Sequence, residues 1–263
     1  MTRNGFSLVE LSIVLVILGL LTGGILGGQA LIRAAELRAV STEQGRYLTA
    51  VQTFRDKYFG LPGDFRDATR FWGRAAATGD CVTNSSAAVA SPGACDGGGD
   101  GRINNAAAAS QSGDEFQFWK HLALAGLIEG TYSGLAGSGG LGHIVPATNA
   151  PRSRLSNAAW YTAQSGLVST SILPYLTYNN YLGIGAATTT TYSYGAVLKP
   201  EEAWNIDTKI DDGRPSYGKV IGIYWNDACS TANTGVTAAT NLDAVYMLSS
   251  TANACSLIFR DAF

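Results

Sequence analysis

The N-terminal part of the chain is a long, predominantly apolar run. From Leu11 to Ile32, 22 residues follow one another without a formal charge. As an α-helix, about 20 such residues cross the roughly 30 Å hydrocarbon core of a bilayer. The run therefore predicts a helix that is long enough to span a membrane.

The pattern changes after this run, but the helix signal continues. Spacings of three and four residues define one face of an amphipathic helix. The residues of that face are Leu37, Val40, Gln44, Tyr47, Val51, Phe54 and Tyr58. The opposite face is predicted to carry the charged residues Glu36, Arg38, Glu43, Arg46, Arg55 and Asp56. Because no proline interrupts the pattern, we expect one helix from about Ser7 to Phe59, with an apolar half and a half that docks on a globular head.

Five glycines interrupt the apolar half of this helix. They are Gly19, Gly23, Gly24, Gly27 and Gly28. Each costs about 1 kcal/mol of helix propensity relative to alanine. The sequence leaves two interpretations open, which are close packing against sister helices and local melting of the segment.

Helix signals after residue 60 are shorter. A short helical stretch is predicted to end at Phe71-Trp72, and a loop rich in Gly, Ala and Ser is predicted over residues 73–113. Ser112 and Glu115 then have the spacing of a capping box. The apolar face of the helix they would start is Phe116, Trp119, Ala123 and Leu127, with Gly126 near its end. Pro200 is a favourable first residue for a further helix through about Ile210.

Strand signals gather toward the C-terminus. The segments with strand composition are the Thr- and Tyr-rich 188–194, Lys219–Trp225, Ala244–Ser249 and Cys255–Arg260. Since helix signals come first and strand signals last, the expected class is α+β. We expect the long N-terminal helix to pack on a C-terminal antiparallel sheet, with long loop-rich insertions.

Composition and charge disfavour two classes of protein. Charged residues make up only 14% of the chain, the net charge is −2, and no run of Lys or Arg indicates nucleic acid as the main partner. The chain has no nucleophile elbow and no phosphate-binding loop. His121 and His143 are expected to have core or surface roles. A membrane-tethered enzyme is therefore the weakest hypothesis, and no catalytic residues are predicted.

The residues before the apolar run supply the most specific motif. A short basic leader ends at Gly5, Phe6 follows it, and Glu10 lies four residues further on. A carboxylate is costly in an apolar run and therefore indicates a function. In these features residues 1–35 resemble the type IV pilin and pseudopilin family. The resemblance implies cleavage between Gly5 and Phe6 by the prepilin peptidase and methylation of the new N-terminus; an uncleaved signal anchor is the alternative.

The resemblance also implies an organisation for the whole chain. Residues 1–5 would be the leader, 6–32 the transmembrane and polymerisation helix, and 33–263 a pilin-like head that includes the helix half 33–59. The subunit would cross the inner membrane once, with its head in the periplasm, before it enters a type IV pilus or a type II secretion pseudopilus. Its partners would be other pilin-like subunits, prepilin peptidase, the inner-membrane assembly machinery and membrane lipid. A minor pilin whose head binds a surface, a glycan or DNA is the alternative.

Glu10 is the predicted assembly residue. Cleavage would create a free amine at Phe6, and in hydrocarbon such an amine on a neighbouring subunit is a suitable partner for the Glu10 carboxylate. The pair would set the register of stacked helices as well as their affinity.

The four cysteines are predicted to form disulfides. An even number of cysteines in an exported chain favours this, although three pairings exist and free buried thiols are the alternative. Cys81–Cys95 and Cys229–Cys255 close the shortest loops and are the expected pairs.

Two groups of acids are candidate calcium ligands. Asp96 and Asp100 lie in a Gly-rich segment that imitates the start of a calcium loop, although Gly98 stands at its third position and Ala107 at its twelfth. Asp207, Asp211 and Asp212 lie near the end of the Pro200 helix, where acids oppose the helix dipole. A bound calcium ion would relieve that cost, and so would neighbouring basic residues; a Gly-rich turn closed by a disulfide is the alternative for the first group.

Overall fold

The computed structural model describes most of the chain. The described residues are 7–75, 93–104, 112–164, 180–190, 192–224, 228–231, 242–260 and 262–263. They form the helices α1 (Leu8–Tyr58), α2 (Ala68–Trp72), α3 (Asp114–Leu124) and α4 (Pro200–Ile210) and the strands β1 (Ala158–Gln164), β2 (Asn180–Ala186), β3 (Val220–Tyr224) and β4 (Cys255–Phe259). A long N-terminal helix on a C-terminal antiparallel sheet is the predicted α+β, pilin-like class.

Helix α1 is a single unbroken element of 51 residues, which makes it about 77 Å long at 1.5 Å per residue. Ser7 caps its N-terminus, and Phe59 ends it in the left-handed conformation with a φ of 55°. These ends confirm the predicted span. The helix continues through Gly19 and Gly28, so the segment is helical in the single subunit; local melting during assembly stays a prediction.

The sheet is antiparallel throughout and has the strand order β1-β2-β4-β3. Strands β1 and β2 pair over their whole length, from Ala158 opposite Ala186 to Gln164 opposite Asn180. Strand β4 lies between β2 and β3, and each of its five residues is buried. The last strand of the chain is therefore central to the sheet.

Aromatic residues join the second half of α1 to the head. The Tyr47 ring lies 5.1 Å from that of Trp119 on α3 and 5.4 Å from that of Trp160 on β1, edge-on to both. Val51 and Phe54, one and two turns further along α1, are fully buried. Edge-to-face aromatic pairs contribute about 0.5–1.5 kcal/mol each beyond the area that they bury. The predicted docking half of the helix is thus confirmed.

The predicted capping box of α3 is wrong. Gly113 is the N-cap of α3, and no side chain caps it. Ser112 instead pairs with Leu135 in an isolated antiparallel bridge, so extended pairing holds it outside the helix. The expected end near Gly126 is correct: this glycine has a φ of 72°, and the Leu127 N–H donates to the Leu122 carbonyl at 2.9 Å, as in a Schellman motif.

Two strand predictions are also wrong within the described residues. The described residues of segment 188–194 form a loop, because β2 ends at Ala186 and Gly195 returns to pair with that same residue. Segment 244–249 pairs at one point only among the described residues, between Tyr246 and Ser230, because turns at 242–243 and 248–249 lie on both sides of this bridge. The other two segments contain β3 and β4 as expected.

Candidate functional site

The N-terminus of α1 places Glu10 in a capping box. The Ser7 hydroxyl oxygen accepts a hydrogen bond from the Val9 N–H at 3.2 Å, and the Ser7 N–H donates to the Glu10 carboxylate at 2.9 Å. The carboxylate therefore has a hydrogen-bond donor within its own helix. The spacing Ser-x-x-Glu is the usual sequence sign of this motif, although the sequence analysis considered only the role of Glu10 between subunits. Gly5 and Phe6 lie outside the described residues.

The apolar half of α1 is exposed along its length. Leu8 is 86% exposed and Leu20 is 73% exposed. The polar side chains within this half bond to the helix itself: the Ser12 hydroxyl donates to the Val9 carbonyl at 2.9 Å, and Thr22 donates to the Leu18 carbonyl at 2.9 Å. Such internal pairing is what hydrocarbon requires of polar groups. By length and composition this helix can cross a membrane.

The glycines of this half have no packing contacts that require glycine among the described residues. A Cβ atom added at Gly19, Gly23 or Gly27 would meet nothing within 4 Å among the described residues, and the same holds for Gly24 and Gly28. Gly19, Gly23 and Gly27 repeat at intervals of four, as do Gly24 and Gly28, so one face of the helix has no side chains. In membranes, small residues at this spacing allow helices to approach closely.

Comparison with known families identifies the N-terminal segment. Residues 1–26 match the family model described as the prokaryotic N-terminal methylation motif. The chain carries a prepilin-type N-terminus. This motif supports a type IV pilin-like or pseudopilin precursor, for which a structural role is expected. No curated protein and no solved structure matches the chain.

An arginine connects α1 of this prepilin-type chain to α4, directly after the apolar run. The Arg33 guanidinium donates two hydrogen bonds to the Glu202 carboxylate, at 2.7 and 2.6 Å, and another to the Val197 carbonyl at 2.9 Å. It also donates to Glu36 at 3.0 Å. Although burial opposes the shift, the Arg33 hydrogen bond holds the pKa of Glu202 below its usual value. This bidentate ion pair attaches the head to α1 directly after the exposed apolar half of the helix.

Two carboxylates that the sequence analysis placed on the solvent face in fact bind the head. Glu43 is only 7% exposed. It accepts hydrogen bonds from the Ser153 hydroxyl at 2.6 Å, the Arg154 N–H at 2.9 Å and the Trp160 indole N–H at 2.7 Å. Glu36 accepts one from the Ser156 hydroxyl at 2.5 Å. The predicted charged face is wrong at these positions because donors that are distant in sequence satisfy both acids.

The Gly-rich segment surrounds a carboxylate that the sequence analysis missed. Asp64 is 3% exposed and accepts hydrogen bonds from three successive N–H groups, those of Gly99, Asp100 and Gly101. Burial raises the pKa of Asp64, against the effect of these N–H groups. The φ values of 67° at Gly99 and 80° at Gly101 explain two of the glycines. Successive N–H groups form such anion-binding nests, but nothing local in the sequence identifies Asp64 as the anion.

The two predicted calcium ligands of this segment have separate partners. Asp96 accepts hydrogen bonds from both the N–H and the hydroxyl of Thr69, each at 2.8 Å. Asp100 accepts one from the Arg102 N–H at 3.0 Å. The Asp96 contacts attach the loop to α2, and the Asp100 contact lies within the loop. Calcium binding here stays a prediction.

The second acidic group does come together in space. One carboxylate oxygen from each of Asp207, Asp211 and Asp212 lies within 4.8 Å of the other two. Asp207 is fully buried, and it accepts hydrogen bonds from the Tyr246 hydroxyl at 3.0 Å and the Gly213 N–H at 3.2 Å. Burial raises the pKa of Asp207 to about 7, and its acidic neighbours add to the shift.

The other two acids accept hydrogen bonds from backbone N–H groups at the start of β3 and in the turn that follows α4. Asp211 accepts from the Val220 N–H at 3.2 Å, and Asp212 accepts from the Arg214 N–H at 2.9 Å. The Arg214 guanidinium points elsewhere and pairs with Asp243 at 3.2 Å. The raised pKa of Asp207 and these N–H donors reduce the cost of placing three acids together without a bound cation. Calcium at this cluster also stays a prediction.

The cysteines and histidines have structural contacts. Cys229 and Cys255 form the disulfide expected of them, with their Cα atoms 5.0 Å apart. Cys95 is disulfide-bonded, and its predicted partner Cys81 lies outside the described residues. In the core, His121 accepts from the Gly63 N–H at 2.9 Å and donates to the Cys95 carbonyl at 3.0 Å, which defines a neutral imidazole.

The environment of His121 agrees with this neutral form. Burial lowers the pKa of His121 to about 4. His143 accepts from the Gly139 N–H at 2.9 Å and so orders its own loop. Both histidines hold backbone groups, in agreement with the core or surface roles expected of them.

Proposed function

We propose that this chain is a structural subunit of a type IV pilus or a type II secretion pseudopilus, polymerised through the first half of α1. The main support for the proposal is that α1 has an exposed apolar first half, which continues without a break into a second half that packs on the head. Among the described residues, none of the head covers the segment from Leu8 to Ile32. About 25 exposed residues in helical form need either lipid or other helices around them. A membrane supplies the first environment and a filament of sister subunits supplies the second.

The N-terminal motif supports the route between these two states. Prepilin peptidase would remove residues 1–5, and the amine of Phe6 would then be methylated. The precursor would cross the inner membrane once with its head in the periplasm, where the disulfide between Cys229 and Cys255 is stable. The inner-membrane assembly machinery would draw subunits from this pool.

Glu10 would select the register of assembly. In the subunit its carboxylate accepts one hydrogen bond, from the Ser7 N–H, which leaves acceptor capacity for a second donor. The Phe6 amine of a neighbouring subunit is a suitable donor. In hydrocarbon such a pair is favoured because separate charges are costly there.

Glu10→Gln tests this role because glutamine also closes a capping box with Ser7. The helix end is therefore kept and only the charge is lost. We expect the variant to be cut at Phe6, to remain folded in the membrane and to be at least about tenfold depleted from sheared filaments, since even 1.4 kcal/mol of lost pairing is a factor of ten. Mass spectrometry determines the N-terminal residue of the processed chain, and quantitative blotting measures the share of the protein found in sheared filaments.

Ser7→Ala is the matched control. It removes the hydroxyl cap of α1 but leaves the carboxylate, so its filaments should form at close to the wild-type level. Equal assembly of Glu10→Gln and the wild type would show that the carboxylate does not direct polymerisation. A mature chain that starts elsewhere than Phe6 would refute the proposed processing.

A further inference from the structure

A groove lies along α1 just beyond the apolar run. Its volume is about 410 Å³, and it extends from Leu31 to Arg46 on the helix, with Arg154 on its opposite wall. Small residues, among them Ala35 and Ala39, line it on the helix side. The groove therefore begins where the membrane-facing surface of the chain ends.

The groove is cationic. Arg38, Arg46 and Arg154 line it, against one lining carboxylate, Glu43. The ion pairs of the described residues do not involve any of these three arginines. The Glu43 oxygens accept hydrogen bonds from Ser153, Arg154 and Trp160. Arg46 also donates a hydrogen bond to the Tyr47 hydroxyl at 3.3 Å and lies over the Tyr47 ring. With three arginines and one carboxylate in its lining, the groove has a surplus of positive charge.

The position of the groove indicates which anion it meets. Leu31, at its lower end, is 74% exposed and belongs to the apolar run. Arg38 follows seven residues later, which is about 10 Å along the helix axis. Long arginine side chains reach back toward a membrane surface and place their guanidinium groups at the level of the lipid headgroups. A planar guanidinium also matches the geometry of a phosphate group better than an ammonium does.

We propose that this groove binds the phosphate of an acidic phospholipid headgroup while the subunit resides in the membrane. Arg38 and Arg154 would contact the phosphate from the two walls, and Arg46 would add its charge from the upper end. The lipid's acyl chains would lie on the apolar surface below Leu31. The inference rests on the membrane-resident stage of the proposed function, and it does not depend on polymerisation.

Native mass spectrometry of the full-length chain can test this. The chain would be released from mixed micelles that contain equal amounts of phosphatidylglycerol and phosphatidylcholine. We expect the wild type to retain phosphatidylglycerol in preference to phosphatidylcholine. In the double variant Arg38→Ala/Arg154→Ala, the ratio of retained phosphatidylglycerol to retained phosphatidylcholine should fall at least about fivefold. Both residues are exposed, so the double variant should keep the wild-type Tm; if it does not, Arg38→Lys/Arg154→Lys should retain part of the preference.

Arg55→Ala/Arg152→Ala is the matched control. It removes the same charge from exposed positions on the same two segments, outside the groove. This control should bind phosphatidylglycerol as the wild type does. Equal retention of the two lipids by the wild type, or unchanged preference in Arg38→Ala/Arg154→Ala, would overturn the proposal.

Two further results would assign the groove to another occupant. Competition by millimolar inorganic phosphate would identify a site for free phosphate and not for lipid. If the wild type were a dimer and the variant Arg38→Ala/Arg154→Ala a monomer, the occupant of the groove would be an acidic surface of a second copy of the chain. Glu10→Gln should leave the lipid preference unchanged, so a failure of the lipid proposal is distinguishable from a failure of assembly.

Discussion

Replacing Glu43 with glutamine should loosen the contact between α1 and the head. Three donors from a segment more than a hundred residues away converge on this carboxylate: the Ser153 hydroxyl, the Arg154 N–H and the Trp160 indole N–H. Glutamine has nearly the same shape but offers one acceptor oxygen in place of two. Its amide nitrogen must therefore face at least one of these donors.

The magnitude of this change follows from the arrangement of the donors. One carboxylate oxygen accepts from both Ser153 and Trp160, and the other accepts from Arg154. Glutamine loses least if its oxygen keeps the first pair and its amide faces the Arg154 N–H. An unsatisfied donor costs about 1–3 kcal/mol, and the two retained bonds lose the roughly twofold strength that an ionised acceptor provides. The total is about 3 kcal/mol, which corresponds to a fall in Tm of about 6–12 °C for a head of this size.

Thermal unfolding of the full-length chain in detergent, followed by circular dichroism, measures this effect. Glu129→Gln is the matched control, because Glu129 is exposed and its carboxylate makes no hydrogen bond among those found in the described part of the chain. The control should change the Tm by no more than about 1–2 °C. If Glu43→Gln fell within the same range, the buried carboxylate would not be what fixes α1 to the head.

Two further predictions concern the head. Burial raises the pKa of Asp207 to about 7 from 3.8. Between these two values the folded state keeps a proton that the unfolded state has lost, so the free energy of unfolding falls as the pH rises through this interval. The loss reaches roughly 2–4 kcal/mol by pH 8. Asp207→Asn should therefore show a smaller fall in Tm between pH 5 and pH 8 than the wild type, and an unchanged fall would contradict this. Non-reducing peptide mapping should link Cys81 to Cys95, in a loop worth about 3 kcal/mol; a free thiol at Cys81 would refute the pairing.

Local patterns in the sequence were sufficient for the elements that depend on neighbours along the chain. The span from Ser7 to Phe59 follows from one continuous periodicity and from the turn residues that end it. The helix that starts at Pro200 and the strands β3 and β4 also carry their own propensities. The N-terminal motif needs no tertiary context, because it is recognised from the order of residues 1–26 alone.

Contacts between distant segments required the tertiary structure. A helix pattern places Glu43 with the other charges because a carboxylate normally stays in water; only the arrival of donors from β1 and the segment before it makes its burial favourable. The predicted strand at 244–249 also fails: its composition favours a strand, but among the described residues only Tyr246 has a strand-like partner, Ser230. Asp64 is one acid among many until three N–H groups of a remote Gly-rich loop surround it. In each case the free energy comes from partners that only the folded chain brings together.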